Sequence, residues 1–253
     1  MKAITSAANQ LVKDWKKLST KKGRQKMQCY LLEGWHLVQE AYLAQAQILQ
    51  IIVSSDFVWP ETLDLTEIEV IQITPQIAKS LSQTPSPQGI FAVVALSQNE
   101  FSFEQAKGAW IFLDGLQDPG NIGTIVRTAD AAGFSGVVFG ENTADLYQPK
   151  VLRAMQGSHF HLPVLKGDLT KWVAAFKKQG KPVYGTQLDQ NAQSYRQVQP
   201  QAEFALIMGN EGNGMSEELL AQTSLNLYIP MQGKAESLNV AVAAGILMFA
   251  LKA

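Results

Sequence analysis

Short apolar runs alternate with helix-like stretches along most of this chain of 253 residues. The alternation is clearest in the second half, where each strand-like run is followed by a segment with helical spacing of its apolar residues. Strands joined through helices form mostly parallel sheets, because each helix returns the chain to the starting edge of the sheet. We therefore predict an α/β fold with extended segments at 110–113, 137–139, 160–165, 183–186, 204–208 and 225–229 and helices at 121–132, 149–157, 169–179 and 237–252.

The first half shows the same alternation over a shorter length. It predicts strands at 48–53, 69–73 and 90–96 and a helix at 33–46. Residues 97–108 are polar and have neither periodicity, which is typical of a domain boundary. We predict a smaller α/β domain over 1–98, a linker over 99–108 and a larger domain over 109–253.

Composition excludes several classes of protein. With 46% hydrophobic and 17% charged residues, the chain is neither disordered nor fibrous. The single cysteine, Cys29, excludes an intrachain disulfide and a zinc site made of cysteines alone. His159 and His161 lie on one face of a possible strand without further ligands nearby, so no metal is expected. The longest apolar stretch, 240–251, is shorter than the roughly 20 residues that cross a bilayer, and we expect a cytoplasmic protein without a membrane partner.

Charge is distributed unevenly along the chain. Residues 1–30 hold eight basic residues and one acidic residue, a net charge of +7, although the whole chain carries −1. Such asymmetry points to a nucleic acid partner, and the alternative is a solvated helix face with a basic tip. The candidate phosphate-binding residues are Lys16, Lys17, Lys21, Lys22, Arg24 and Lys26.

Three glycine-rich turns follow strand ends, the place where ligands bind in open parallel sheets. The first leads from the strand at 110–113 into a helix that starts near Asn121. Arg127 lies about two turns along that helix, roughly on the same face as Asn121. A fixed guanidinium there suits a phosphate or a carboxylate, and the alternative is a capped helix whose arginine pairs locally.

The second turn has glycines at 209, 212 and 214. This spacing is neither the dinucleotide fingerprint nor a phosphate-binding loop, which argues against a nucleotide-dependent oxidoreductase. Glu211 would repel a phosphate but would accept hydrogen bonds from hydroxyls, amines or an arginine. A bend with positive φ explains the glycines but does not explain the carboxylate.

The third turn passes through Gly233 to a helix with Ser237 as its expected N-cap. Ser237 and Asn239 offer neutral donors and acceptors near the helix N-terminus. From Val240 to Phe249 the predicted helix at 237–252 is apolar on almost every side, so it must be buried on several faces. A homodimer interface or an ordinary buried helix would satisfy this requirement.

Together the three turns resemble the signature motifs of the SpoU/TrmH family of RNA ribose 2′-O-methyltransferases. The matching stretches, in the order of the family, are Asn121-Ile-Gly-Thr-Ile-Val-Arg127, Met208-Gly-Asn-Glu-Gly-Asn-Gly-Met-Ser216, and Ile229-Pro-Met231 with Ser237-Leu-Asn-Val-Ala241. The first half resembles the small RNA-binding domain that often precedes this catalytic domain, through Leu32-Glu-Gly-Trp-His-Leu-Val38 and Ser86-Pro-Gln-Gly-Ile90.

The resemblance implies a parallel α/β sheet with a deep trefoil knot, a homodimer, and S-adenosylmethionine as the cofactor. The cofactor contacts implied by the family are Gly209, Ile229, Met231 and Leu238, with Thr186 as a further contact. Arg153 matches a family stretch that contacts RNA, whereas Met155 stands where that stretch usually has Ser or Thr.

The resemblance also implies roles in catalysis. Arg127 is the family's usual catalytic candidate, but an arginine is a poor base because its pKa exceeds about 12. We therefore expect Arg127 to bind the adjacent phosphate and stabilise the developing alkoxide. Glu211 would hold Arg127 or the loop, Asn121 would brace the turn, and Ser237 and Asn239 would orient the substrate.

The expected activity is methyl transfer to a ribose 2′-hydroxyl of structured RNA, with ribosomal RNA favoured. The basic segment would hold that RNA over the active site through phosphate contacts. Transfer RNA is the alternative substrate, and a non-catalytic RNA-binding factor that retains the fold is the alternative function.

Overall fold

The computed structural model describes residues 2–60, 63–96, 101–187 and 191–253, with only the backbone of Gln105. The strands, in chain order, are β1 Lys2–Ile4, β2 Cys29–Glu33, β3 Ile48–Ser54, β4 Glu69–Ile73, β5 Ile90–Ala95, β6 Ala109–Asp114, β7 Gly136–Phe139, β8 Val164–Lys166, β9 Val183–Gly185, β10 Gln193–Ser194, β11 Phe204–Gly209 and β12 Leu225–Tyr228. The helices are α1 Gln10–Lys17, α2 Lys21–Met27, α3 Trp35–Leu43, α4 Pro75–Leu81, α5 Pro119–Ala131, α6 Pro149–Met155, α7 Leu169–Lys178, α8 Glu217–Leu220 and α9 Val240–Leu251.

The chain divides into two compact units that do not follow chain order strictly. The first unit comprises Met1–Asn99 and Tyr147–Phe160, and the second comprises Glu100–Leu146 and His161–Ala253. Part of the predicted boundary, at residues 97–100, lies outside the described residues. The segment with α6 belongs to the first unit, although it lies far along the sequence from the rest of that unit.

The first unit contains a mixed sheet with the strand order β1-β4-β3-β5-β2. Strands β1, β4 and β3 are parallel, whereas β5 runs antiparallel to both β3 and β2. Helix α1 illustrates why these elements form: the Asn9 side chain caps it, and Val12 and Trp15 bury one face. These two residues join a core with Ile52, Phe91 and other apolar residues of the sheet.

The second unit contains the parallel sheet predicted from the alternation of strands and helices. Its order is β10-β12-β9-β11-β6-β7-β8, and every pairing is parallel. Strands β6, β7 and β11 are buried on both faces, apart from the last residue of β6. The strand order does not by itself trace a knot, so the trefoil knot stays a prediction.

Most predicted strands and helices are confirmed to within two or three residues, but some predictions were wrong. The closing helix begins at Val240, and its N-cap is Asn239 rather than Ser237. Residues 160–165 are not a single extended segment, because a 3₁₀ turn covers Ser158–Phe160 and β8 starts only at Val164. His159 and His161 therefore do not lie on one face of a strand. No helix of the described residues is long and apolar enough to span a bilayer.

Candidate active site

The carboxyl ends of β6, β9, β11 and β12 lie on one edge of the second unit's sheet. These strands are neighbours in the order β12-β9-β11-β6 and are all parallel. The chain leaves them at Asp114, Gly185, Gly209 and Tyr228, so the three glycine-rich turns predicted from the sequence meet at this edge.

The first turn enters α5 through a well-formed helix start. Asp118 is the N-cap and accepts a hydrogen bond from the Asn121 backbone N–H at 2.8 Å, and Pro119 occupies the first helical position. Ile122, Ile125 and Val126 bury the opposite face of α5. The helix is therefore fixed by its cap and its core, which sets the position of Asn121.

Glu211 connects the second turn to the first. Its carboxylate accepts hydrogen bonds from the backbone N–H groups of Gln117 and Asp118, both at 3.2 Å, and from the side-chain amide of Asn121 at 3.3 Å. Among the described residues, the Glu211 carboxylate forms no hydrogen bond or ion pair with Arg127. Of the two roles expected for Glu211, holding the loop fits this geometry.

The hydrogen bonds of Glu211 also affect its ionisation. Partial burial opposes the charged form of the carboxyl group, but hydrogen bonds from three backbone N–H groups and from Asn121 outweigh it, so the pKa of Glu211 is lowered. The carboxylate is therefore ionised at neutral pH and acts as an acceptor, not as an acid.

Asn239 adds the third turn to the same network. Its amide nitrogen donates to Asn121 Oδ1 at 2.9 Å, and its Oδ1 accepts from the backbone N–H groups of Ala241 and Val242. One side chain thus caps α9 and fixes Asn121. Glu211, Asn121 and Asn239, predicted from three separate motifs, form one chain of hydrogen bonds.

The loop after β11 is a tight bend built around Asn210. Asn210 Oδ1 accepts from the N–H groups of Gly212 and Asn213, and its Nδ2 donates to the Gly115 carbonyl at 2.7 Å. A Cβ on Gly209 would lie 2.4 Å from the backbone of Gly214, so only glycine fits there.

The predicted cofactor-contacting residues lie around this bend and the loop after β12. Thr186 donates its hydroxyl to the Ile207 carbonyl at 2.8 Å. Ile229 and Leu238 are half-buried, and Met231 is exposed. Thr186 comes directly after β9, and Ile229, Met231 and Leu238 lie in the loop after β12.

The side chain of Gln187 shows whether these residues fit S-adenosylmethionine. Its buried Oε1 has no hydrogen-bond donor among the described residues, and a Cβ on Gly214 would lie 3.2 Å from it. A buried acceptor without a donor is costly unless a ligand supplies one. The residues therefore fit a ligand with N–H or O–H groups, such as the amines and hydroxyls of this cofactor.

Arg127 and Ser237 lie outside the hydrogen-bond network. Arg127 is exposed on α5, and within the described part of the chain its guanidinium has no ion-pair or hydrogen-bond partner. Ser237 is exposed two residues before the cap of α9. Both side chains are accessible to a ligand from solvent.

The six candidate phosphate-binding residues of the basic segment divide into two groups. Five of them are lysines on α1 and α2 that are exposed, namely Lys16, Lys17, Lys21, Lys22 and Lys26. Arg24 is only 3% exposed and donates to the Leu18 carbonyl at 2.8 Å, so the prediction that it contacts RNA from the surface does not fit its burial. Its guanidinium instead ties α2 to the end of α1.

Arg153 on α6 lies 3.6 Å from the carboxylate of Glu33 on β2. That carboxylate also accepts hydrogen bonds from Ser82, Gln83 and Thr84. Met155, the residue that departs from the family pattern, is completely buried. Arg153 thus has an intramolecular partner in the first unit, while about a third of its side chain stays accessible.

Sequence reasoning did not single out Asn210 or Gln187. Asn210 could have been found from its place between glycines, because asparagine side chains often bond to the backbone two residues on. Gln187 gives no such signal, since only the fold buries its oxygen. Among the described residues, no group of three or more His, Cys, Asp or Glu side chains could hold a metal ion.

Two family models match the chain. The SpoU rRNA Methylase family model matches residues 108–249, and the MRM3-like substrate binding domain matches residues 9–92. A 23S rRNA (guanosine(2553)-2′-O)-methyltransferase, RlmP of Bacillus subtilis (strain 168), is 45% identical over the full length of both chains.

Solved structures with this fold include proteins bound to AdoMet, that is, S-adenosylmethionine. An AdoMet-bound rRNA methyltransferase from Sinorhizobium meliloti is 28% identical and has a TM-score of 0.87, covering 99% of this chain and 97% of that chain. The SpoU methyltransferase AviRb from Streptomyces viridochromogenes, in complex with AdoMet, is 25% identical with a TM-score of 0.83, covering 96% and 97%.

Proposed function

Because this chain belongs to the SpoU rRNA methylase family, we propose that it transfers a methyl group from S-adenosylmethionine to a ribose 2′-hydroxyl of ribosomal RNA. The observation that carries the proposal is the hydrogen-bond chain Glu211–Asn121–Asn239, which brings the three signature motifs together at one sheet edge. A catalytically inactive protein would keep the same fold, but the accessible Arg127, on the helix that also carries Asn121, favours activity.

The chain's own residues would position the acceptor. S-adenosylmethionine, when bound, supplies an electrophilic methyl group, so the protein must orient the hydroxyl and assist loss of its proton. Arg127 binds the neighbouring phosphate and stabilises the developing alkoxide, while that phosphate or a water accepts the proton. Glu211 and Asn121 hold the turn that carries α5, and Ser237 and Asn239 orient the ribose.

The cofactor is held largely by backbone groups of the two glycine-bearing bends. Gly209, Thr186, Ile229, Met231 and Leu238 would hold it, and the buried Oε1 of Gln187, which has no donor among the described residues, would accept a hydrogen bond from one of its N–H or O–H groups. The knot expected for the family would bring these segments together.

The first unit binds RNA through its exposed lysines, without reading sequence. Its match to a substrate binding domain and the identity with RlmP favour 23S rRNA over transfer RNA, with the guanosine equivalent to position 2553 as the specific target. Such a reaction takes place in the cytoplasm. We propose domains over 1–98 and 109–253 with a linker over 99–108, except that the segment Tyr147–Phe160 belongs to the first unit. Arg153 in that segment would contact the RNA.

We further propose a homodimer formed through α9. Ala244 is buried, and Gly245 lies against Thr128 of α5, but Val242 is 52% and Phe249 61% exposed. Seven residues apart, Val242 and Phe249 share an apolar face that a second copy would cover. Phe249→Glu should convert the dimer to a monomer in analytical ultracentrifugation, and an unchanged sedimentation coefficient would contradict this interface.

Methyl transfer to RNA tests the activity directly. Purified protein and tritiated S-adenosylmethionine should label unmodified 23S rRNA and leave transfer RNA unlabelled. Mapping should place the label on a ribose 2′-oxygen of a single guanosine. Labelling of a base, or no labelling of any RNA, would contradict the proposed function.

A further inference from the structure

A cavity of about 690 Å³ lies within the first unit, apart from the residues that the proposed chemistry uses. It is formed where the segment 147–160 meets the ends of β2, β3 and β5. The lining residues are Gln28, Tyr30, Ala44, Ala46, Gln47, Val94, Ala95, Leu96, Tyr147, His159 and Phe160. Its volume falls within the about 300–1,000 Å³ that is usual for small-molecule and cofactor sites.

Four aromatic rings form part of the cavity wall. The Tyr30 and Tyr147 ring centroids are 4.6 Å apart, and those of His159 and Phe160 are 4.0 Å apart. The Tyr30 hydroxyl lies 3.3 Å from His159 Nε2, which joins the two pairs. Tyr30 is buried, but the other three rings are only half-buried and keep accessible surface.

Two exposed amide side chains complete the lining. Gln28, in the left-handed region with φ 53°, donates its Nε2 to the Gln25 carbonyl, so its Oε1 stays available as an acceptor. Gln47 is exposed, and an amide side chain can both donate and accept. None of the described lining residues is acidic, and the exposed Lys26 and Lys150 lie two and three residues from Gln28 and Tyr147.

Aromatic faces, amide groups and nearby cations are the combination by which proteins bind unstacked RNA bases. We infer that this cavity holds one unpaired base of the RNA substrate, stacked on the ring of Tyr147, next to His159 and Phe160, and hydrogen-bonded by Gln47. The inference rests on the proposed function, because it takes RNA as the substrate. The site recognises RNA apart from the methylated nucleotide and would favour targets with an extruded base.

Binding of full-length protein to fluorescein-labelled, random-sequence octaribonucleotides tests the inference. The wild-type protein should bind the single strands more tightly than the same pool annealed into duplex. Tyr147→Ala should weaken single-strand binding about 5- to 150-fold, the range for loss of a stacked base, whereas Tyr147→Phe should retain most of the affinity. Gln47→Ala should weaken it as well, and Gln76→Ala, at an exposed position on α4 outside the cavity, should not.

Ultraviolet cross-linking gives a readout that does not depend on these variants. Cross-linked peptides from the wild-type protein should contain Tyr147, His159 or Phe160. If Tyr147→Ala fails to fold, Gln47→Ala and the cross-link position decide the question. Wild-type affinity in Gln47→Ala together with cross-links confined to other segments would overturn the inference. An excess of free nucleoside 5′-monophosphates should not displace the oligonucleotide, and full displacement would overturn RNA as the source of the base.

Methyl transfer separates this inference from the proposed function. Both cavity variants should bind S-adenosylmethionine with wild-type affinity in calorimetry, and at limiting RNA they should methylate more slowly. A wild-type protein that binds single strands through the cavity but methylates no RNA would overturn the activity alone. Equal methylation rates for wild type and both variants at limiting RNA would overturn the cavity's role alone.

Discussion

The two units differ in how their polar groups are arranged. In the first unit, the exposed Lys16, Lys17, Lys21, Lys22 and Lys26 extend into solvent from α1 and α2. Among the described residues, Lys17 alone of these five has an ion-pair partner, Asp14 at 2.7 Å. In the second unit, Asn121 is hydrogen-bonded to both Glu211 and Asn239. Glu211 and Asn239 also accept hydrogen bonds from backbone N–H groups at the starts of α5 and α9. Phosphate binding needs a positive potential but no exact placement of each side chain. An in-line methyl transfer needs the reacting groups to be held in fixed positions. The contrast predicts that the two units respond differently to substitution.

Arg127→Ala gives the largest expected effect, because Arg127 is an exposed cation on α5, the helix that also carries Asn121. We expect the kcat of methyl transfer to fall by about 100- to 1,000-fold, which is typical for removal of one charge-stabilising donor. The affinity for S-adenosylmethionine should be nearly unchanged in calorimetry. Arg196→Ala, at another exposed arginine of the same unit, is the control, and a normal rate for Arg127→Ala would refute the role of Arg127.

Replacing Lys16, Lys17, Lys21, Lys22 and Lys26 by alanine should weaken RNA binding without affecting the chemistry. Each lysine that contacts a phosphate should lower the slope of log affinity against log salt by about one. We expect the combined variant to lose more than about tenfold in RNA affinity at physiological salt. Lys178→Ala, at an exposed position of the second unit, should behave as wild type. An unchanged slope in the combined variant would remove these lysines from the RNA interface.

Asn239→Ala should lower stability, because it removes both the cap of α9 and the hydrogen bond to Asn121. Loss of an N-cap typically costs about 1 kcal/mol. Asn239→Ser keeps a capping oxygen but cannot reach Asn121 in the same way, so it should restore most of the stability and little of the activity. Urea unfolding and the methyl-transfer rate measure the two effects. Equal activity in both variants and wild type would show that the link to Asn121 is dispensable.

Glu211 should contribute a small dependence of stability on pH. Its pKa in the folded protein lies below the ordinary value of 4.5, so its hydrogen bonds stabilise the fold fully above that value. The contribution is lost as the pH falls from about 4.5 through the lowered pKa. The free energy of unfolding of the wild type should therefore approach that of Glu211→Gln at acidic pH. Urea unfolding at a series of pH values from neutral to acidic measures this difference. A difference that stays constant over this range would exclude the linkage.

Local sequence patterns predicted most of the strands and helices and the three motifs that form the candidate active site. The alternation of apolar runs predicted the parallel sheet, and three glycine-bearing turns predicted one site at its carboxyl edge. These signals, namely the spacing of apolar residues, helix caps and glycine-bearing bends, depend on residues that are close in sequence. The start of α9 was missed by three residues because both Ser237 and Asn239 are good capping residues, and only packing chooses between them.

The amino-acid order was sufficient to identify the fold class, the family and the residues Glu211, Asn121 and Asn239, since each sits in a short motif that carries its own chemistry. It could not tell that Glu211 bonds to Gln117, Asp118 and Asn121, that Arg24 turns inward, or that residues 147–160 join the first unit. These facts depend on strand order and on which distant segments pack together. Burial and long-range hydrogen bonds are properties of the assembled chain, and no window of neighbouring residues contains them.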